Sequence, residues 1–341
     1  MPTYKVSTTT MEDLSKLSSL EVGLPTALLA YAKQQVSLSS ETKAVLDKWS
    51  NKSSSLTKRS ATPKTPKKVR VVDAPMVDGL EKYERPNGDF YYSRQWSGMP
   101  DVEVLRLGRK LGHYALLYGS PGCGKTALVE ASFGDELYTI LGSGDTELSD
   151  FIGGYVQTPS GDFEWVDGAL VKSAEQGKVL LIDEIGLIDP KVLSALYGLM
   201  DGRKEITITQ NPERGTVKAK DGFYVVGATN PNAPGVRLSE ALLSRCLLQV
   251  EMTTDWELAK KLGVPRLAIT ASQNLAKKQL SGETSWSPQF RELLAFREIE
   301  KSYGTDWAIA NLLACSPEMD RPIVADVFTR VFGKDCRPAK I

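Results

Sequence analysis

The chain has 341 residues, and its 42 Lys and Arg residues balance 42 Asp and Glu residues, so it has no formal net charge. This balance gives no sign of a general affinity for nucleic acid or for an anionic membrane surface. A hydrophobic content of 41% and a charged content of 25% exclude fibrous and fully disordered classes, and the length is enough for about two domains.

Targeting and metal signals are weak throughout the sequence. No window approaches the run of about 18 apolar residues that a membrane-spanning helix needs, and the N-terminal sequence MPTYKVSTTTMEDLSKL lacks the order of a secretory signal. We therefore expect a cytoplasmic protein with no membrane contact. The four cysteines are far apart and His113 is the single histidine, which argues against a structural zinc site and fits a reducing compartment.

The first 72 residues divide into two predicted segments. Residues 1–50 are predicted to form a helical N-terminal arm, since Leu14, Leu17 and Leu20 recur at a spacing of three. Residues 51–72 are predicted to be a basic flexible linker, because NKSSSLTKRSATPKTPKKVR holds seven Lys or Arg residues and no acid. Two interpretations of the linker stay open, a solvated tether and a strip that contacts nucleic acid or an acidic partner.

Residues 73–254 alternate short apolar runs with helical patterns, which predicts an α/β domain with a mostly parallel sheet between helices. Residues 255–341 show helical patterns only and are predicted to form a second, smaller α-helical domain. The predicted strands are YALLY (114–118), LYTIL (137–141), KVLLIDE (178–184) and FYVVGATN (223–230). Ligands of such sheets bind where the strands end.

The stretch GSPGCGKT, residues 119–126, fits the G-x-x-x-x-G-K-[ST] pattern, with a predicted strand before it and a helix after it. Its glycines let backbone N–H groups surround phosphates, and the helix adds its positive end. Lys125 is predicted to neutralise the β and γ phosphates of ATP, and the Thr126 hydroxyl to hold Mg²⁺. The predicted nucleotide-binding residues here are Gly119, Ser120, Pro121, Gly122, Cys123, Gly124, Lys125, Thr126 and Ala127.

Two carboxylates follow the apolar run VLLI. Asp183 is predicted to bind Mg²⁺ with Thr126 and so to contact the cofactor, because a hard cation prefers oxygen ligands. Glu184 can reach an attacking water as a general base. A second acid at this place indicates steady hydrolysis rather than a nucleotide-sensing switch.

Two further polar residues complete the predicted catalytic set of Lys125, Glu184, Asn230 and Arg245. Asn230 ends an apolar strand, where its amide can contact the attacking water and the γ-phosphate. The segment LSEALLSRC predicts an amphipathic helix that ends in Arg245. A guanidinium stabilises charge on a transferring phosphoryl group, and a neighbouring subunit can supply it.

Together these residues resemble the AAA+ ATPases. GSPGCGKT resembles their Walker A motif, VLLIDE their Walker B motif, Asn230 their sensor 1 and Arg245 their arginine finger. The sequence between the motifs resembles the MoxR, CbbQ and CobS branch, which is related to the AAA modules of midasin and dynein. The resemblance covers about residues 90–330 and implies a P-loop core with a helical lid. The residue after the arginine finger is usually Phe in this family, whereas it is Cys246 in this chain.

The resemblance also implies three further features. Arg291, in WSPQFRELLAF, matches the start of the sensor 2 helix and is predicted to contact the γ-phosphate in its own subunit. YVQTPSGDFEW and residues 204–221 are predicted to be two hairpins that face a ring's central pore. Phe163 and Trp165 of the first hairpin either grip a partner or pack the hairpin onto the core.

The leading functional hypothesis is an ATP-hydrolysing ring motor that remodels a protein partner. The resemblance implies a homo-oligomer, a hexameric ring, and a partner that carries a von Willebrand A domain. The alternative is a nucleic-acid translocase that uses the pore hairpins and the basic linker. A small-molecule kinase would explain the phosphate loop but not Asn230, Arg245 and a helical lid in that order.

Overall fold

The computed structural model describes residues 80–339. The predicted arm (1–50) and the predicted linker (51–72) lie outside the described residues. Within residues 80–339, no helix is long and apolar enough to cross a membrane.

From residue 80 onward, four short strands precede the central sheet and form two antiparallel hairpins. Strand β1 (Lys82–Glu84) pairs with β2 (Phe90–Tyr92), and β3 (Gln95–Trp96) pairs with β4 (Met99–Pro100). Helix α1 (Asp101–Leu111) follows directly and ends at Gly112, whose left-handed conformation stops the helix.

The other elements alternate along the chain as the sequence predicts for an α/β fold. The strands are β5 (Ala115–Tyr118), β6 (Leu137–Leu141), β7 (Gly153–Gln157), β8 (Phe163–Asp167), β9 (Val179–Asp183), β10 (Glu205–Thr207), β11 (Thr216–Lys218), β12 (Tyr224–Thr229) and β13 (Leu248–Glu251). The helices between them are α2 (Lys125–Phe133), α3 (Leu148–Ile152), α4 (Ala169–Gln176), α5 (Pro190–Leu193), α6 (Tyr197–Met200) and α7 (Glu240–Leu243).

Five of these strands form a parallel sheet in the order β13-β5-β12-β9-β6. Every residue of β12 is buried, as are the first four residues of β9, because helices cover both faces. Thr229 lies opposite Tyr118, and Asp183 lies opposite Leu141. The carboxyl ends of these strands therefore share one edge of the sheet, where parallel sheets bind ligands.

The α/β fold and its four predicted strands are confirmed, with ends shifted by a residue or so. The fifth strand, β13, was not predicted, since four residues beside an apolar helix pattern give no separate signal. The predicted helix over LSEALLSRC is wrong in extent: it is the single turn α7, capped by the Ser239 side chain, and Arg245 lies beyond its end.

Both predicted hairpins are present. Strands β7 and β8 pair between α3 and α4, and β10 and β11 pair between α6 and β12. The β7–β8 hairpin leaves α3 at Gly153, which has a φ of 112° and where a Cβ would collide with the Val166 carbonyl oxygen.

The C-terminal part is helical and has its own apolar core. Its helices are α8 (Trp256–Lys261), α9 (Arg266–Leu280), α10 (Phe290–Tyr303), α11 (Thr305–Cys315) and α12 (Arg321–Phe332). Leu275, Phe296, Leu312 and Phe328 are among its buried side chains and form a cluster separate from the core around the sheet. A helical domain therefore follows the α/β domain.

Candidate active site

The phosphate loop joins β5 to α2 at the carboxyl edge of the sheet. Gly119 begins it with a φ of 151°, and a Cβ there would collide with the Met252 carbonyl oxygen. At Gly122, with a φ of 79°, a Cβ would lie 3.0 Å from the Cβ of Arg291. The loop is thus packed so closely that side chains at these two positions would displace it.

Lys125 is the first residue of α2, and only 6% of its surface is exposed. Its Nζ donates to the carbonyl oxygens of Gly119 at 2.9 Å and Ser120 at 3.1 Å, and lies 3.9 Å from the Sγ of Cys123. Within residues 80–339 no carboxylate forms an ion pair with this ammonium. A buried cation without a counter-ion favours a bound anion.

Thr126 and Asp183 bring the loop and β9 together. The Thr126 Oγ1 donates to the Asp183 Oδ2 at 2.7 Å. Two neighbouring oxygen side chains fit Mg²⁺. No group of three or more His, Cys, Asp or Glu side chains that could hold a metal occurs in the described part of the chain. A cation here would therefore take its other ligands from phosphate oxygens and water.

Glu184 has the backbone conformation least expected of a glutamate. Its φ of 51° and ψ of 39° are left-handed, a region that costs a non-glycine residue about 1 kcal/mol. The Asp183 Oδ1 accepts from its N–H at 3.1 Å, and its own Oε2 is buried without a hydrogen-bond partner among the described residues. Strain beside an unpaired buried carboxylate oxygen is typical of a functional site.

Asn230 follows β12 at the same edge of the sheet. Its Oδ1 accepts from the N–H of Asn232 at 3.2 Å, which closes a turn, and the Thr229 Oγ1 before it is buried without a partner in residues 80–339. Thr229 lies against the loop after Glu184, because a Cβ on Gly186 would meet its Oγ1 at 2.7 Å.

Arg245 does not reach the phosphate loop of its own chain. Its Nη1 donates to the Ala241 carbonyl oxygen at 2.7 Å, and its guanidinium lies 4.4 Å from the centre of the Tyr197 ring. The next residue, Cys246, is buried, and burial raises the pKa of its thiol to about 11. The family's usual Phe is thus replaced by a thiol that stays protonated.

A cavity of about 640 Å³ lies between the phosphate loop, the β1–β2 hairpin and the helical domain. The backbone N–H of Arg291 donates to the Gly122 carbonyl oxygen at 3.2 Å, so the start of α10 rests on the loop. Of the predicted site residues, the cavity is lined by Pro121, Gly122, Gly124, Lys125, Thr126, Ala127, Asp183, Glu184 and Arg291. Gly119, Ser120, Cys123, Asn230 and Arg245 do not line it.

Comparisons with known proteins assign part of this chain to a family. A family model described as "AAA domain (dynein-related subfamily)" matches residues 115–246, which begin with β5 and end just after Arg245. Residues 115–246 therefore form an AAA+ ATPase domain. The resemblance seen in the sequence, to the branch that includes midasin and dynein, is thereby confirmed.

Three relatives are similar to part of this chain. Midasin from Giardia intestinalis is 40% identical over 137 residues, 39% of this chain and 3% of that protein. Midasin from Dictyostelium discoideum is 35% identical over 153 residues, 43% of this chain and 2% of that protein. The uncharacterized protein YojN from Bacillus subtilis is 32% identical over 193 residues, 51% of this chain and 62% of YojN. The chain therefore spans less than two thirds of each of these relatives.

In the first hairpin of this AAA+ domain, Phe163 and Trp165 lie in different environments. The sequence left the role of both side chains open. Phe163 is 66% exposed, so it does not pack onto the core. Trp165 is half-buried, packs edge-on against Tyr155 with ring centres 5.3 Å apart, and donates from Nε1 to Asp167 at 2.8 Å. Phe163 is therefore available to a partner, whereas Trp165 packs the hairpin against the core.

Sequence reasoning missed the arginines that precede the sheet. Arg85 and Arg94 line the cavity, and Arg85 forms an ion pair with Glu130 of α2 at 2.5 Å. The segments around them, KYERPNGD and YYSRQWSG, match no motif. Their position depends on how the β1–β2 hairpin folds against α2, which a local pattern does not reveal.

Proposed function

We propose that this AAA+ domain binds ATP with Mg²⁺ and works as a ring motor, a hexamer of identical chains, that remodels a protein partner. The observation that carries hydrolysis is the pair of acids at the end of β9. Asp183 accepts a hydrogen bond from Thr126, and the strained Glu184 has a buried carboxylate oxygen beside the cavity that no described residue pairs with. A group held in this way is ready to take a proton from water.

Each residue of the site has a distinct role in this proposal. Lys125 neutralises phosphate charge, Thr126 and Asp183 hold Mg²⁺, and Glu184 accepts the proton of the attacking water. Bound Mg²⁺ would offset the negative charge of the phosphate oxygens. Arg291 approaches the phosphates from the helical domain, because its backbone already contacts Gly122.

The ring accounts for the position of Arg245. Its guanidinium lies outside the cavity of its own chain and is stacked on Tyr197. A second subunit docked against this face would receive Arg245 at its own nucleotide. Asn230, at the edge of the same sheet, would orient water within its own subunit.

The charge of the first hairpin favours a protein partner over nucleic acid. Residues 153–171 contain Asp162, Glu164 and Asp167 but no Lys or Arg. The exposed aromatic and aliphatic side chains Tyr155, Val156 and Phe163 lie among these acids. Phosphate backbones are bound by basic side chains, so this hairpin suits a polypeptide. The family resemblance makes a protein with a von Willebrand A domain the first candidate.

The test is an ATPase assay on the purified protein and its Lys125→Ala and Glu184→Gln variants, with neighbouring gene products and with DNA. We expect Lys125→Ala to lose ATP binding. Glu184→Gln should bind ATP but hydrolyse it at least about a hundredfold more slowly. A protein partner should stimulate the wild type. Stimulation by DNA alone, falling steeply with salt, would replace the protein-remodelling role with the translocase alternative.

A further inference from the structure

Arg94 lies in the turn between the β1–β2 hairpin and β3, and a buried carboxylate holds that turn in place. Asp101 is 7% exposed and accepts from the Arg94 N–H at 3.1 Å, the Ser93 Oγ at 2.9 Å and the Tyr91 hydroxyl at 2.5 Å. The Asp101 N–H in turn donates to the Arg94 carbonyl oxygen at 2.9 Å. The backbone that carries Arg94 is therefore fixed on both sides.

The Arg94 guanidinium joins three parts of the molecule. Its Nη2 donates to the Cys123 carbonyl oxygen of the phosphate loop at 2.6 Å, and its Nη1 donates to the Thr253 carbonyl oxygen, just after β13, at 3.1 Å. Its plane also lies 5.3 Å from the ring centre of Phe290, the first residue of α10. A planar guanidinium holds its donors in fixed directions and can also stack on an aromatic ring, so arginine suits this set of contacts better than the compact ammonium of lysine.

One of these bonds sets the direction of a peptide in the phosphate loop. In a trans peptide the C=O and the following N–H point to opposite sides, and residues 80–339 contain no cis peptide bond. With the Cys123 carbonyl oxygen held on Arg94, the Gly124 N–H points away from it. Gly124 is the residue before α2, where backbone N–H groups are available to an anion.

We propose that Arg94 is a positioning residue for nucleotide binding, an inference that rests on the proposed function of the cavity. It holds the Cys123–Gly124 peptide in the orientation that binds phosphate. Through Thr253 and Phe290 it ties that peptide to the junction between the sheet and the helical domain. Arg94 thus links nucleotide binding in the phosphate loop to the position of the helical domain, which carries Arg291.

The experiment measures ATP and ADP dissociation constants, and amide hydrogen exchange over 119–126 and 288–294, in Arg94→Gln and Arg94→Lys. Arg106→Gln is the matched control. Arg106 also donates to a backbone carbonyl oxygen, that of Ser132 at 3.0 Å, and lies 5.2 Å from the Tyr83 ring centre, away from the loop. We expect Arg94→Gln to weaken both nucleotides about tenfold and to speed exchange in both segments, with Arg106→Gln like wild type in both measurements.

Each outcome decides the proposal. Arg94→Lys should stay impaired, because lysine lacks the rigid fork whose two nitrogens reach the Cys123 and Thr253 carbonyl oxygens in fixed directions. Full recovery with lysine would show that positive charge alone matters and would overturn the bridging role. Wild-type affinity and exchange in Arg94→Gln would overturn the inference and leave the proposed function standing, whereas a wild-type protein that binds no ATP would overturn both.

Discussion

Glu184 combines backbone strain with a carboxylate oxygen that has no hydrogen-bond partner in residues 80–339. A left-handed glutamate and a buried oxygen without a partner each lower stability, and neither is needed to close the turn after β9. Glycine would adopt the same φ and ψ without steric cost. The conformation of Glu184 therefore supports the catalytic role proposed for its side chain.

Substitutions at position 184 should affect stability and activity differently. Both Glu184→Ala and Glu184→Gly remove the carboxylate and should eliminate hydrolysis. Glu184→Gly should be more stable than Glu184→Ala by about 1 kcal/mol, because alanine keeps the strained conformation. Denaturant unfolding of the two variants measures this difference. Equal stabilities would mean that the backbone relaxes and that strain has no part in the site.

The residues of the candidate site were predictable to different degrees. The phosphate loop forms one short motif, and Asp183 and Glu184 belong to another. Each motif follows a predicted strand, which brings both to the carboxyl edge of the sheet. Arg94 was not predictable, because its contacts with Cys123 and Thr253 span 29 and 159 positions in the chain. The contact between Arg245 and the Tyr197 ring was not predictable either, because Tyr197 belongs to a separate helix.

At the scale of elements, apolar runs predicted the inner strands because β9 and β12 are buried almost throughout. The edge strand β13 has alternating half-buried and exposed residues and gave no such signal. Strand order depends on contacts between distant segments, so the sequence left it open. The predicted helix around Glu240 was too long, because the apolar periodicity of the sequence continues beyond Leu243, where the helix ends.

The two hairpins are joined by one arginine. Arg214, from the loop between β10 and β11, donates to both carboxylate oxygens of Asp167 at 3.0 to 3.2 Å and pairs with Glu175 of α4 at 2.5 Å. Burial alone would raise the pKa of Asp167, but hydrogen bonds from Arg214 and Trp165 hold that pKa below its ordinary value. The base of the aromatic hairpin is thereby fixed to its neighbour.

Removing this link should loosen the first hairpin. In Arg214→Gln we expect faster amide exchange over residues 153–167, with a loss of about 1 kcal/mol of local stability. Arg203→Gln, which breaks an exposed pair with Asp201, is the matched control and should leave that exchange unchanged.

The pH dependence of the Arg214 link has a definite sign. A lowered carboxyl pKa contributes stability above the ordinary value of an aspartate, and this is lost as pH falls through the lowered pKa. The hairpin should therefore keep its protection at neutral pH and lose it only in acid. Loss of protection near neutral pH in the wild type would contradict this account of Asp167.

At the scale of the whole molecule, one chain supplies a cavity with a loop, two acids and Arg291 but directs Arg245 elsewhere. In the proposed ring, an active site is therefore completed by a second subunit. Each interface of the proposed ring would combine Glu184 of one chain with Arg245 of the next. Hydrolysis would then depend on assembly.

Mixing two inactive variants tests this claim most directly. Arg245→Ala subunits keep Glu184, and Glu184→Gln subunits keep Arg245, so a mixed ring contains interfaces with both groups intact. With each variant alone almost inactive, an equal mixture should recover about a quarter of the wild-type ATPase rate by random assortment in a closed ring. A mixture that binds ATP and assembles, yet stays as inactive as its components, would show that Arg245 does not act across the interface.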